Sequence, residues 1–342
     1  SASSGKVLMR APPHYFAAMI VCMGALSSAS APCRAEDVQQ PVEMVRLMHD
    51  IQSQVASGAE GGQEAMQAMV RAMGEQFDKL DVEVWRAPRN ARAAALYLLS
   101  GGDAAVVRRI LDSKTVTAAE EKLLRGALAF VEGRVAEARK LFGEVDARAV
   151  DPPLGAHIAF AQASLLPPAE SVRARGLLEL ARLLAPGGLV EEAALRREVF
   201  VAGETGDVQA FADLSRRYAR RFRGSAYFDN FARKFTAVTA AFPLEKATPF
   251  LPLIEEAARD IGVDNRREFY LQLSRRAIAE GKNDLGARAA SEAARIATDS
   301  RSGRARAALY QAAARVGPHP SGPRSRRQCP APRSGHGGSV TW

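Results

Sequence analysis

LLRGALAFVEGRVAEARKLFGEVDARAVDP, residues Leu123–Pro152, decides the fold. Two apolar-patterned stretches flank Gly133, and Asp151-Pro152 closes the second. Gly126 and Ala138 are small enough to let two helices approach closely, and Phe142 is suited to fill the gap between neighbours. A single hairpin of this kind cannot bury both of its faces. It predicts a chain of such units that stack.

The rest of the chain repeats the punctuation. Breaks fall near Gly102, Gly133, Pro167, Gly206, Pro243 and Gly281, at steps of 31, 34, 39, 37 and 38 residues, the interval of stacked helix–turn–helix units. Upstream, Met44, Leu47, Met48, Ile51 and Val55 recur at three- and four-residue steps after Pro41, which suits a helix start. Gly58, Gly61 and Gly62 interrupt the run, and Met66, Met69, Met73, Phe77 and Leu80 resume it. The methionine stripe reads as core. Pro186-Gly187-Gly188 stops one helix, and Glu191-Glu192 sit early in the next, where the helix dipole favours them. Glu192 and Arg196 are four apart in the favourable order. No segment alternates at period two for long enough to build a sheet. The expectation is an all-α architecture of stacked antiparallel helical hairpins. The unit resembles a degenerate tetratricopeptide repeat without the Trp and Tyr of its first helix, which implies a solenoid with a long surface for a partner.

Composition bounds the function. The 342 residues are 47% hydrophobic and 25% charged, with a formal charge of +9. That charge belongs to the ends. Residues 1–35 carry +3 and residues 317–342 carry +4, leaving +2 for residues 36–316. A nearly neutral body argues against nucleic-acid binding. Met9-Arg10, the uncharged run Tyr15–Leu26 and the small-residue exit to Ala35 read as a secretory signal peptide, too short for a transmembrane span. Residues 1–35 are thus assigned to upstream sequence and signal, with no stable membrane insertion after cleavage. Cys22 and Cys33 lie in that segment, so the exported chain keeps Cys329 alone and has no internal disulfide. Residues 36–316 form the helical-repeat domain. Residues 317–342, with ten Gly or Pro and no acid, are expected to be disordered.

The search for chemistry is mostly negative. His49 and His157 are the histidines of the body, and neither has carboxylates at ligand spacing. Gly281-Lys282 lacks the upstream glycine and the following Ser or Thr of a phosphate loop. Glu170-Ser171 would matter in a helical peptidoglycan-cleaving enzyme, but a single dipeptide after Pro167-Pro168 fits a helix start better. The expectation is a non-enzymatic protein without cofactor or metal.

The densest polar constellation is Arg216-Arg217-Tyr218-Ala219-Arg220-Arg221-Phe222-Arg223-Gly224-Ser225-Ala226-Tyr227. On a helix Arg216, Arg220 and Arg223 share one face and Arg217 and Arg221 a neighbouring one, with Tyr218 and Phe222 turned inward. Gly224 is suited to end this helix and Ser225 to cap the next. Guanidinium forks suit an acidic partner surface, which makes Arg216, Arg217, Tyr218, Arg220, Arg221, Arg223 and Tyr227 the candidate partner-binding residues. The competing reading is a solvated face paired with Asp207, Asp213 and Asp229.

Leu180–Phe235 resembles the MotC family of periplasmic motility proteins of flagellated alpha-proteobacteria. The match is carried by Leu189–Arg196 (LVEEAALR), Arg217–Phe222 (RYARRF) and Ser225–Phe231 (SAYFDNF). Pro41–Gln54 (PVEMVRLMHDIQSQ) and Ala91–Gly102 (ARAAALYLLSGG) agree as well, so the blocks run in order through residues 41–300. The resemblance implies a periplasmic, non-enzymatic role in flagellar rotation, exerted on the periplasmic part of the stator protein MotB. Two departures stand out. Gly187-Gly188 replaces an expected Gly-Thr, and the chain turns into its Pro/Arg/Gly tail after Val316, where family members continue helically. The alternative is a general cell-envelope scaffold of the same helical architecture.

Overall fold

Proline and glycine punctuation sets the helix boundaries seen in a computed structural model. The model describes residues 40–316 apart from 57, 59, 60, 298 and 299. The signal segment, the three cysteines and the tail lie outside the described residues. Within them the chain is all-α, with no strand. The helices are α1 (Pro41–Ala56), α2 (Gly62–Lys79), α3 (Pro88–Leu99), α4 (Ala104–Ser113), α5 (Ala118–Val131), α6 (Val135–Gly143), α7 (Pro152–Leu165) and α8 (Ser171–Leu184). They continue as α9 (Leu189–Glu204), α10 (Val208–Arg221), α11 (Phe228–Ala241), the single turn α12 (Leu244–Ala247), α13 (Leu251–Asp260), α14 (Val263–Ala279), α15 (Asn283–Ile296) and α16 (Arg301–Val316).

Each of the six expected breaks falls between helices. Gly133, Gly206 and Gly281 take left-handed φ values of 72°, 74° and 74° at the turns α5–α6, α9–α10 and α14–α15, a conformation that glycine adopts without steric cost. Capping residues start several helices. Asp103 accepts from the Ala105 amide at 2.8 Å ahead of α4, and Asp207 accepts from Ala210 at 3.0 Å ahead of α10. Thr117 caps α5, its hydroxyl oxygen accepting from the Glu120 amide and its hydroxyl hydrogen going to the Glu120 carboxylate.

Helices pack with their neighbours in sequence and again with the next-but-one. Thus α5 meets α6, α7 meets α8, α9 meets α10 and α14 meets α15, while α3 meets α5, α7 meets α9, α9 meets α11 and α14 meets α16. Two features interrupt the plain repetition. Helix α1 lies against both α3 and α9, and the stretch between Pro243 and Gly281 holds three helices, α12, α13 and α14.

Two large apolar clusters fill the interior, and α9 supplies both. Ala194 and Val201 belong to the first, while Leu195, Val199, Phe200 and Ala202 belong to the second. An α-helix buried on all sides must sit in the middle of the stack, and α9 touches α1, α7, α8, α10 and α11. The methionine stripe is core in the main: Met44, Met48, Met66 and Met73 are buried and Met69 is partly so. Leu47 lies on the predicted stripe but is 47% exposed, while Met44, Val45 and Met48 carry the buried face of α1.

The deciding hairpin has the predicted contact in a sharper form. Phe142 lies within its own hairpin, on Gly126, where an added Cβ would stand 2.8 Å from the ring. At Gly155 the neighbour is backbone: a Cβ would meet the Ala147 carbonyl oxygen at 2.2 Å. Backbone cannot rotate away, so Gly155→Ala is expected to cost about 1–3 kcal/mol in chemical denaturation. Gly176 in α8 has open space instead, and Gly176→Ala is expected to stabilise by about 0.5–1 kcal/mol through helix propensity.

Candidate functional site

Helix α10 carries Arg216, Arg217, Tyr218, Arg220 and Arg221. It ends at Arg221 with Phe222 as its cap, two residues before the Gly224 expected to stop it. Phe222 and Tyr218 turn inward as predicted, and both are buried. The Gly224 backbone lies against the turn after α1, where Gly58 has no room for a side chain: a Cβ there would stand 2.6 Å from the Gly224 carbonyl oxygen. Ser225 accepts from the Tyr227 amide at 3.2 Å, just before α11 begins at Phe228.

The arginines find acids within the chain. Arg216 pairs with Glu256 at 3.2 Å and with Asp213 at 3.5 Å, and Arg220 also pairs with Glu256. Arg223 pairs with Asp260, and Arg221 with Glu191 at 2.8 Å. The anticipated acids are mostly not those used. Asp213 takes part, but Asp207 pairs with Arg175 at 2.8 Å, and no ion pair of Asp229 is found among the described residues. The main partners, Glu256 and Asp260, lie four apart on α13, so an acidic stripe at helical spacing faces a basic one. That signal was present in the sequence, but nothing local linked segments forty residues apart.

Pairing leaves the ridge accessible. Arg220 and Arg223 keep 60% and 64% of their side-chain surface, and Arg217 is exposed with no ion pair among the described residues. Tyr227 is also exposed, with the Arg196 guanidinium 4.4 Å from its ring centroid. Exposed ion pairs of this kind are worth about 0–1 kcal/mol each. They orient the side chains and contribute little to stability.

The stronger interaction lies beneath them. Glu192 on α9 is fully buried. Tyr218 on α10 donates its hydroxyl hydrogen to Glu192 Oε1, and Arg196, one turn along α9, sits 3.3 Å away. Burial pushes the Glu192 carboxyl above its ordinary range, against the opposing pull of Arg196 and the Tyr218 and Ser225 hydroxyls. Burial and the adjacent carboxylate push the Tyr218 phenol up as well. The Tyr218 ring packs on Phe231 with centroids 4.1 Å apart and stacks with Phe228 at 6.2 Å. The fold therefore gathers Leu189–Arg196, Arg217–Phe222 and Ser225–Phe231 around one buried carboxyl. The sequence indicated the Glu192–Arg196 pair but not its depth.

Other motifs resolve structurally. Glu170 pairs with Arg173 at 3.0 Å on the surface. His157 contacts the Pro153 carbonyl at 2.8 Å and the Ser100 hydroxyl at 3.3 Å, and desolvation lowers its pKa to about 4. Lys282 lies 3.8 Å from Glu280. Among the described residues no three His, Cys, Asp or Glu side chains gather as a metal would require, and no helix is long and apolar enough to cross a membrane.

A family model described as Chemotaxis protein MotC matches residues 8–327. The chain is 27% identical over 289 residues to the Chemotaxis protein MotC of Rhizobium meliloti (strain 1021), covering 80% of this chain and 64% of that protein. The match thus spans a little under two thirds of the relative's length. No solved structure matches the chain.

A raised carboxyl pKa has a definite sign in stability. The folded state holds the Glu192 proton more tightly than the unfolded state, so this contribution is full at acidic pH and is lost as pH rises through the folded-state pKa. Glu192→Gln keeps an acceptor for Tyr218 and removes the buried charge. Its melting temperature relative to the parent is expected to rise between pH 4 and pH 8. A difference independent of pH would contradict the assignment. Tyr218→Phe leaves the carboxyl without its donor and is expected to cost about 1–3 kcal/mol in denaturation at neutral pH.

Proposed function

Given that the chain belongs to the MotC family of chemotaxis proteins, we propose that it serves flagellar rotation from the periplasm by binding the periplasmic part of the stator protein MotB. The family is one of motility proteins and is not a known enzyme family. Export is supported by the charged start, apolar run and small-residue exit of residues 9–35.

The observation that carries the binding reading is the exposed arginine ridge over the buried Glu192–Tyr218 pair. Arg217 and Arg220 on α10 and Arg223 just beyond it keep exposed guanidinium groups above a helix whose other face is anchored by Tyr218 and, at its cap, Phe222. Tyr and Arg are over-represented where binding energy concentrates, and Tyr227 with Arg196 supplies both at the end of the ridge. A rigid basic ridge of this kind suits an acidic patch on a folded partner domain. A general envelope scaffold shares the architecture but gives no reason for this family membership.

The test is complementation of a non-swimming strain that lacks its own family member. The parent chain is expected to restore swimming. Arg217→Glu combined with Tyr227→Ala changes two exposed side chains and is expected to abolish swimming while leaving periplasmic abundance and melting temperature unchanged. Full swimming by that variant would remove the ridge from the interface. Failure of a stable, exported parent chain to restore swimming would favour the scaffold.

A further inference from the structure

Away from the ridge, a cavity of about 650 Å³ lies between α1, α3 and the start of α7. Its size is within the range of ligand pockets, roughly 300–1,000 Å³. Leu96 and Leu154 contribute apolar surface, while Glu43, Arg46, Asp50, Arg89 and Asp151 bring charge of both signs.

These five charges are exposed and contrast with the paired arginines of the ridge and of this same wall. The arginine segment on α10 is largely paired, and Arg92 in this same wall pairs with Glu120 at 3.2 Å. Yet none of the five forms an ion pair or a side-chain hydrogen bond among the described residues. Arg46 has Glu43 three residues before it and Asp50 four after it, the spacings at which helix surface pairs form. They remain separate around the concavity, exposed to solvent and to any group that enters it. The acids are free to accept from an ammonium or guanidinium group, and the arginines to grip a carboxylate with paired donors.

We propose that this cleft binds a short extended polypeptide segment of a partner, one that carries an acidic and a basic side chain. A peptide rather than a small ion fits a cavity of about 650 Å³ lined by charges of both signs. Charges come from α1, from Arg89 on α3 and from Asp151 just before α7, and apolar surface lies beside them for the peptide's aliphatic carbons. The cleft also opens beside α1 on the α3 and α7 side of the stack, so an incoming strand would lie along a helix face as partners of helical-repeat proteins do. This inference does not depend on the identity of the partner at the arginine ridge.

Calorimetric titration of the full chain with blocked tetrapeptides tests it. Four probes carry one lysine and one glutamate in each order and two spacings; an all-alanine peptide and a two-glutamate peptide are the controls. At least one mixed-charge probe is expected to bind, and both controls to bind about tenfold more weakly or not at all. Arg46→Ala with Arg89→Ala, and separately Asp50→Asn with Asp151→Asn, are expected to weaken the mixed-charge probe about tenfold without changing the melting temperature. Arg217→Glu is expected to leave it unchanged, which separates the cleft from the ridge. The proposal is overturned if no mixed-charge probe binds at millimolar concentration, if either control binds as well, or if the two cleft variants bind as the parent does.

Discussion

A carboxyl group buried without exposure, Glu192, is the constraint around which the central part of this molecule is arranged. Removing a charged carboxylate from water is strongly unfavourable unless donors replace the lost hydration. Here the replacements come from different segments. Arg196 is supplied by the same helix, Tyr218 by α10, and Ser225 by the turn leading into α11. Holding this acid, whose Oε2 has no hydrogen-bond partner among the described residues, ties α9 to α10 and to the turn before α11. It also explains why a helix bearing three buried glutamates, Glu191, Glu192 and Glu198, can lie at the junction of both apolar clusters. Glu191 meets Arg221, and Glu198 meets Arg182 on α8.

The surface above that centre follows from it. Tyr218 draws the inner face of α10 down onto Phe228 and Phe231, which turns the arginines outward toward α13. Glu256 and Asp260 then receive Arg216, Arg220 and Arg223. Little stability comes from these exposed pairs, but they limit the freedom of long side chains. A pre-oriented arginine loses less entropy on binding than one that sweeps through solvent. The arrangement reconciles two readings that compete at the level of sequence. The arginines are paired within the chain, and they remain open enough to contact a second protein.

Much of the fold was legible because it is local. Glycine or proline marks the six breaks read from the sequence, which are a subset of the inter-helix connections, and Gly126 with Phe142 announces close helix packing. Leu47 escapes this logic: its position on the helix face is right, but α1 spans α3 and α9 and leaves that edge uncovered. Gly224 misleads for a related reason. It looks like a helix stop, whereas α10 ends three residues earlier at Arg221 and the close approach of the Gly224 backbone is allowed by Gly58. The candidate site was legible in its composition and not in its pairing. Tyr218 turned inward as its spacing required, but its acceptor lies 26 residues away, and the acids facing Arg216 and Arg220 lie 40 and 36 residues away. Periodicity assigns residues to a helix face; it does not say which faces meet. The division of α1, α3 and α7 around a charged cleft belongs to the same class of long-range fact.

The account's central claim is that a family member of this architecture engages the stator through a basic ridge held rigid from below. Titration of purified residues 36–342 with the periplasmic part of MotB measures this directly. The account predicts saturable binding that weakens as added salt shortens the screening length from about 30 Å to about 8 Å, because guanidinium groups supply the attraction. Absence of binding by a folded chain, or binding indifferent to salt, would contradict it.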